Sequence, residues 1–182
     1  MKIQKTEFKG LKIIKGQIFY DTRGFFREIY KKKLLKSHKP IFWCMSKSKK
    51  NVLRGLHIQT KNMQEKFVSV IKGKILDVVV DLRSRSKTFG KHFKIILSDK
   101  EAKSILIPAG FAHGFLGLDK ENIILYSNNN YRSQKYETGL LWNDKRLKIH
   151  WPKTKLVLSK KDKLYMSFDD YLKKKKSNNE QT

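Results

Sequence analysis

KFVSVIKGKILDVVVDL, residues 66–82, decides the fold. FVSVI and ILDVVVDL are both dense in Val and Ile, and each is short enough for a single strand. Lys72-Gly73 between them offers a tight turn with a residue that tolerates positive φ. Further runs follow at close spacing: HFKIILS (92–98), SILIPAG (104–110), FAHGFLGL (111–118), ENIILYSNNNY (121–131) and TGLLWND (138–144). Gly, Asn, Asp or Ser lies between them. Many short strands at regular spacing predict an all-β chain: a sandwich, a jelly roll or a barrel. Helical signal is scarce. FREIYKKKLLKSH (26–38) is predicted as a helix, and DKLYMSFDDYL (162–172) as a second, short one.

The chain of 182 residues is enough for one domain with its own core. Repeats and low-complexity linkers are missing, so residues 1–172 read as a single domain. KKKKSNNEQT (173–182) has nothing to bury and reads as a disordered basic tail. No apolar run reaches the length of a membrane span, and the N-terminus alternates charge with apolar residues, unlike a signal peptide. A single cysteine, Cys44, forms no internal disulfide, which suits a reducing cytoplasm.

The formal charge of +26 raises the question of nucleic acid. Its 42 basic residues, however, are 35 Lys and only 7 Arg, scattered along the whole chain. Phosphate and base recognition favours the arginine fork, so a solvated lysine surface is the better reading, one that still draws in a small anionic substrate. A non-catalytic, polyanion-binding jelly roll stays open as an alternative.

Five histidines are present. His38, His92 and His150 sit in polar or terminal contexts and read as surface or packing residues. His57 in NVLRGLHIQ (51–59) and His113 in IPAGFAHGF (107–115) lie in strands beside glycines, where a ligand can approach the backbone. Strand alternation sends His113 opposite to Ala112 and Gly114, and puts Lys66, Val68 and Val70 on one face. A metal site of the His-x-His type is not supported, because the second position is Gln59; no metal and no organic cofactor are expected. Nor is there a nucleophile elbow, a phosphate-binding loop or a dinucleotide fingerprint. Acid–base chemistry remains. An imidazole removes a proton from carbon beside a carbonyl, Arg54 and Lys66 steady the oxyanion, and a tyrosine returns a proton.

DTRGFFRE, NVLRGLHIQ, KFVSVIKGKILDVVVDLR, SKTFG, IPAGFAHGF, TGLLWNDKRLKIHWP and LSKKD occur in this order. Together they resemble the dTDP-4-dehydrorhamnose 3,5-epimerase family, over about residues 10–163. The resemblance implies a cupin-type jelly roll, or double-stranded β-helix, acting without metal on a nucleotide-diphospho-4-keto-6-deoxyhexose in rhamnose and polysaccharide biosynthesis. It implies His57 as base, Asp162 as the carboxylate that orients it, Tyr126 as acid on the opposite face and Lys66 as stabiliser of the enolate. It implies substrate contacts from Arg23, Glu28, Arg54, Gln59, His113, Glu137 and Lys161. It further implies a homodimer with an exchanged N-terminal segment, so that Arg23 and Glu28 serve the neighbour's site. One departure concerns substrate identity. Where the family carries polar Gln and Asn, this chain reads Phe42-Trp43-Cys44-Met45. Epimerisation at one centre only, or ketone isomerisation on another nucleotide-linked sugar, stays open beside inversion at C3 and C5.

Overall fold

A computed structural model describes residues 1–179. In chain order the strands are β1 (Lys2–Lys5), β2 (Lys12–Lys15), β3 (Ile18–Asp21), β4 (Gly24–Arg27), β5 (Phe42–Lys49), β6 (Leu53–Gln59), β7 (Lys66–Lys72), β8 (Lys74–Asp81), β9 (His92–Ser98), β10 (Lys103–Ile107), β11 (Phe111–Gly117), β12 (Glu121–Asn128) and β13 (Glu137–Gly139). Two helices follow, α1 (Lys160–Lys163) and α2 (Phe168–Asn179). One sheet runs β1-β2-β10-β7-β12-β5, the other β13-β6-β11-β8-β9, and β3-β4 is a separate hairpin. The chain crosses between the two large sheets at nearly every connection from β5 to β12, and the product is a cupin-type jelly roll.

β8 shows why its sequence is apolar almost throughout. Ile75 and Val79 face the space between the sheets, with Val68, Val70, Ile105, Ile107, Phe111, Phe115 and Ile124. Leu76, Val78 and Val80 face the other way, under Leu140, Leu147, Phe168 and the partly buried Trp142 and Trp151. Both faces are covered, so alternation gives way to a continuous run. Lys72 and Lys74 flank Gly73, and the turn there is a corner between two sheets rather than a hairpin, since β7 and β8 do not pair. Gly73 has φ +84°, and a Cβ at that point would lie 2.1 Å from the Glu121 carbonyl.

Residues 26–38 do not form the predicted helix. Residues 24–27 are strand β4, and the rest turns back on itself, with the Leu34 and Leu35 amides both donating to the Lys31 carbonyl. Ile29, Tyr30, Leu34 and Leu35 lie over Ile14, Phe67 and Leu106, closing the outer face of the six-stranded sheet. Burial on that face outweighs a helix preference worth only tenths of a kcal/mol per residue. His38 is a packing residue, as expected: its ring is buried between Glu65 and Ser127.

The C-terminal reading also needs correcting. Residues 162–172 are not one helix: α1 ends at Lys163 and α2 begins at Phe168. α2 then runs on to Asn179, through the expected disordered tail and past the expected boundary at 172. Lys175 explains part of that: its Nζ donates to the Leu82 carbonyl at 2.9 Å and lies over the rings of Phe89 and Tyr171. A lysine stem that packs on aromatics while its head is hydrogen-bonded gives a basic segment something to hold. Residues 180–182 of that tail lie outside the described residues.

Candidate active site

The apolar core fills one end of the space between the sheets. The other end is a cavity of about 300 Å³ lined by His57, Arg54, Gln59, Lys66, His113, Tyr126 and Glu137, with Phe42, Cys44, Ser46 and Arg132 among its other walls. Strand alternation explains the convergence. Lys66 precedes core residues Val68 and Val70 on one face of β7, and Tyr126 follows Ile124 on β12. His57 and His113 are directly opposite each other on antiparallel β6 and β11.

The glycines beside these histidines serve strand contact first. A Cβ on Gly55, which has φ +126°, would lie 2.5 Å from the Gly114 Cα, and one on Gly114 would lie 2.7 Å from the Arg54 carbonyl. The register of β6 against β11 shifts at this point. Ligand approach, the reason expected from sequence, accounts for Gly114 alone, which also lines the cavity.

His57 donates from Nε2 to Oδ1 of Asp162 at 2.6 Å. The other ring nitrogen, Nδ1, then carries the lone pair that a base needs. Asp162 sits in the first turn of α1, whose N-cap is Ser159. The Ser159 hydroxyl accepts from the Asp162 amide and donates to Oδ2 of the same residue at 2.8 Å. Burial alone pushes the Asp162 carboxyl up, but the hydrogen bonds from His57 and Ser159 outweigh it and hold the group below its ordinary range. One carboxylate thus braces the Ser159 cap of α1 and fixes an imidazole.

His113 makes a second imidazole–carboxylate pair, Nε2 to Oδ2 of Asp77 at 2.8 Å. Both residues are buried, and Oδ1 of Asp77 has no hydrogen-bond partner among the described residues. Tyr126 packs edge-on to His113, and its hydroxyl meets that of Ser46 at 3.0 Å. Burial drives the phenol far above its usual range; the Ser46 hydrogen bond opposes this, while Asp77 and Cys44 reinforce it. Burial pulls the Lys66 ammonium down, against Glu137, Cys44 and Asp77, which pull it up. Glu137 accepts from Arg132 and Lys161, and these bonds overcome its burial to bring its carboxyl to about 2. Arg54 donates to the Ser48 hydroxyl and the Lys47 carbonyl.

Of the residues expected from sequence, His57, Lys66, Tyr126, Arg54, Gln59, His113 and Glu137 line the cavity. Asp162 and Lys161 join it through their bonds to His57 and Glu137. Gln59 spends its amide on two loops, accepting from the Ser133 amide at 2.7 Å and donating to the Tyr131 carbonyl in one and to the Asn62 carbonyl in the other. Arg23 and Glu28 are not brought in. Arg23 pairs with Asp21 and Glu28 with Lys31, on the exposed β3–β4 hairpin and just beyond it. Ser46 and Arg132 in the cavity wall went unread in the sequence, and so did Asp77, buried behind His113. Asp77 had a signal, an acid between the apolar pair and triplet of ILDVVV (75–80). Among the described residues, no three His, Cys, Asp or Glu side chains converge as a metal-binding group.

Residues 5–170 match the family model described as dTDP-4-dehydrorhamnose 3,5-epimerase. The protein of that name from Shigella flexneri is 40% identical over 168 residues, covering 89% of this chain and 93% of that one. Its counterpart from Escherichia coli is 37% identical over 182 residues, covering 96% and 98%. Among solved structures, the Bacillus anthracis dTDP-4-dehydrorhamnose 3,5-epimerase with TDP and pyrophosphate bound superposes with TM-score 0.87 at 39% identity, covering 92% of this chain and 99% of that one. A Legionella pneumophila 3,5-epimerase in complex with dTDP-4-keto-L-rhamnose gives 0.88 at 37% identity, covering 92% and 93%.

Proposed function

The chain belongs to the dTDP-4-dehydrorhamnose 3,5-epimerase family and is an epimerase of a dTDP-linked 4-keto sugar; we propose that it inverts both centres with His57 as base and Tyr126 as acid. The C4 ketone acidifies the hydrogens on C3 and C5. His57 takes one of them through Nδ1 while Asp162 holds Nε2 and steadies the imidazolium that forms. The electron pair moves onto the ketone oxygen as an enolate, which the Lys66 ammonium stabilises. Tyr126 then gives its proton to the same carbon from the opposite face, and the centre is inverted. Arg54 and His113 hold the diphosphate and sugar region, and Arg132, with the Glu137–Lys161 pair, frames the opposite wall.

What supports this most is the 2.6 Å bond from His57 to Asp162, 105 residues away in sequence, at a cavity that also contains Lys66 and Tyr126. The remaining contacts, Arg23 and Glu28, come from a second copy through an exchanged β3–β4 hairpin, and the homodimer is part of the same reading. Phe19, Tyr20, Phe25 and Phe26 on that hairpin are all exposed, which suits a segment that packs elsewhere. The setting is the reducing cytoplasm, in keeping with the one exposed thiol, Cys44. No helix among the described residues is long and apolar enough to cross a membrane.

Incubation with dTDP-4-keto-6-deoxyglucose in deuterated water tests the mechanism. NMR should show exchange and inversion at C3 and C5. His57→Ala should remove both, a loss on the order of a hundred- to ten-thousand-fold. Tyr126→Phe should keep part of the exchange and lose inversion. Undiminished turnover in His57→Ala would discard the mechanism. A second reading, inversion at one centre or a different sugar, is favoured by Phe42 and Cys44 in the cavity wall where the resemblance implies amides. Exchange confined to C3 or C5 is its signature.

A further inference from the structure

We propose that Ser46 is the positioning residue and proton relay of Tyr126: its hydroxyl aims the phenol at the sugar and hands a proton back after each delivery. The idea rests on the role proposed above for Tyr126 and extends it to a residue outside the expected set.

The geometry comes from strand pairing. β5 lies at the edge of its sheet beside β12, with Cys44 opposite Tyr126 and Ser46 opposite Ile124. Cys44 and Ser46 are two apart, so they share the face that lines the cavity, and Ser46 reaches Tyr126 diagonally. The hydroxyl oxygens are 3.0 Å apart, and Ser46 is the one hydrogen-bond partner of the phenol among the described residues. Ser46 itself is half-buried and open to the cavity.

The surroundings of the phenol suit a relay. Cys44 faces it from β5, Arg54 from β6, Asp77 from β8 and His113 from β11, with Lys66 beside it on β7. Burial, Asp77 and Cys44 all disfavour a phenolate, and the Ser46 hydrogen bond and Arg54 only partly offset them. A phenolate formed here by proton delivery therefore has to be quenched at once. The step balances. The Tyr126 O–H bond breaks as C–H forms on the sugar. Tyr126 O–H re-forms as the Ser46 O–H bond breaks, in one concerted shift in which a cavity water gives its proton to Ser46, so no alkoxide forms and a hydroxide is left in the cavity. The proton that His57 removed from carbon neutralises that hydroxide, so no co-reactant is consumed.

The test compares wild type, Ser46→Ala, Ser46→Thr, Tyr126→Phe and the Ser46→Ala/Tyr126→Phe double variant on dTDP-4-keto-6-deoxyglucose in deuterated water. Ser46→Ala should lower kcat for inversion about ten- to a hundredfold with KM within about twofold, and exchange should outrun inversion. Ser46→Thr, which keeps a hydroxyl, should recover most of the loss. In the Tyr126→Phe background, Ser46→Ala should leave the residual exchange unaltered, because the relay has nothing left to serve. Wild-type kcat in Ser46→Ala, or an equal further loss in the Tyr126→Phe background, overturns the relay and leaves the epimerase intact. A wild-type protein that neither exchanges nor inverts overturns both.

Discussion

Asp162 does two jobs with one carboxylate, which makes it a sharp probe at the scale of single residues. Oδ1 accepts from His57 and Oδ2 accepts from the Ser159 hydroxyl. Asparagine at this position has one acceptor and one donor, so it satisfies at most one of the two partners as they stand. If its oxygen keeps Ser159, its NH2 faces the imidazole and turns it to the other tautomer, moving the lone pair off Nδ1. Asp162→Asn should therefore cut kcat by about a hundred- to ten-thousand-fold while α1 and the fold persist. Steady-state kinetics beside a thermal melt checks this; a large fall in Tm with kcat unchanged would mean that the carboxylate braces the Ser159 cap and does nothing more. His57, Lys66, Tyr126 and Asp162 were all legible through the family resemblance, but the Ser46 partner of Tyr126 was not. In SKSKK a serine among lysines reads as solvated, and only the pairing of β5 with β12, 80 residues apart, brings it to the phenol.

At the scale of elements, β6 to β12 were readable as β-branched runs bounded by turn residues, whereas β1 to β5 were not read as strands and TGLLWND (138–144) is strand only as far as Gly139. Residues 26–38 were read as a helix, but their apolar residues are needed to close a sheet face, a demand visible only in three dimensions. The contact of β6 with β11 is a third case: the glycines stood out in the sequence, but for the wrong reason. Their role can be measured. Gly55→Ala sets a Cβ 2.5 Å from the Gly114 Cα, at φ +126°. Gly24→Ala suffers a similar dihedral, φ +133°, with nothing within 4 Å of the new carbon. Strain from the dihedral alone costs about 1–3 kcal/mol, and overpacking adds about 1–3 kcal/mol more. Urea unfolding should thus find Gly55→Ala less stable than Gly24→Ala by roughly 1–3 kcal/mol. Equal stability of the two variants would show that the strands can part at no cost, and that the close approach does not hold the two histidines opposite each other.

The whole molecule is defined by two surfaces. Its 42 Lys and Arg against 16 Asp and Glu leave a formal net charge of +26, a long-range field that draws in a nucleotide diphosphate without any one lysine being needed. The second surface is apolar and local: the β3–β4 hairpin exposes Phe19, Tyr20, Phe25 and Phe26 by 54–70%, and carries Arg23 with its side chain 87% exposed. An apolar hairpin of that kind, tipped by an arginine that touches nothing in its own cavity, fits the proposed exchange between two copies. The exchange has a consequence that no cis arrangement shares. A dimer built from one Arg23→Ala chain and one His57→Ala chain contains one site with both defects and one site with none, because the intact His57 of the first chain meets the intact Arg23 of the second. Random pairing in an equal mixture makes half of the dimers mixed, so about a quarter of all sites should be wild type. Co-expression of the two variants, assayed at a substrate concentration where each alone is nearly silent, should therefore return about a quarter of wild-type turnover. If Arg23 instead serves its own chain, every site in the mixture carries a defect and activity stays at the mean of the two parents, however the chains associate.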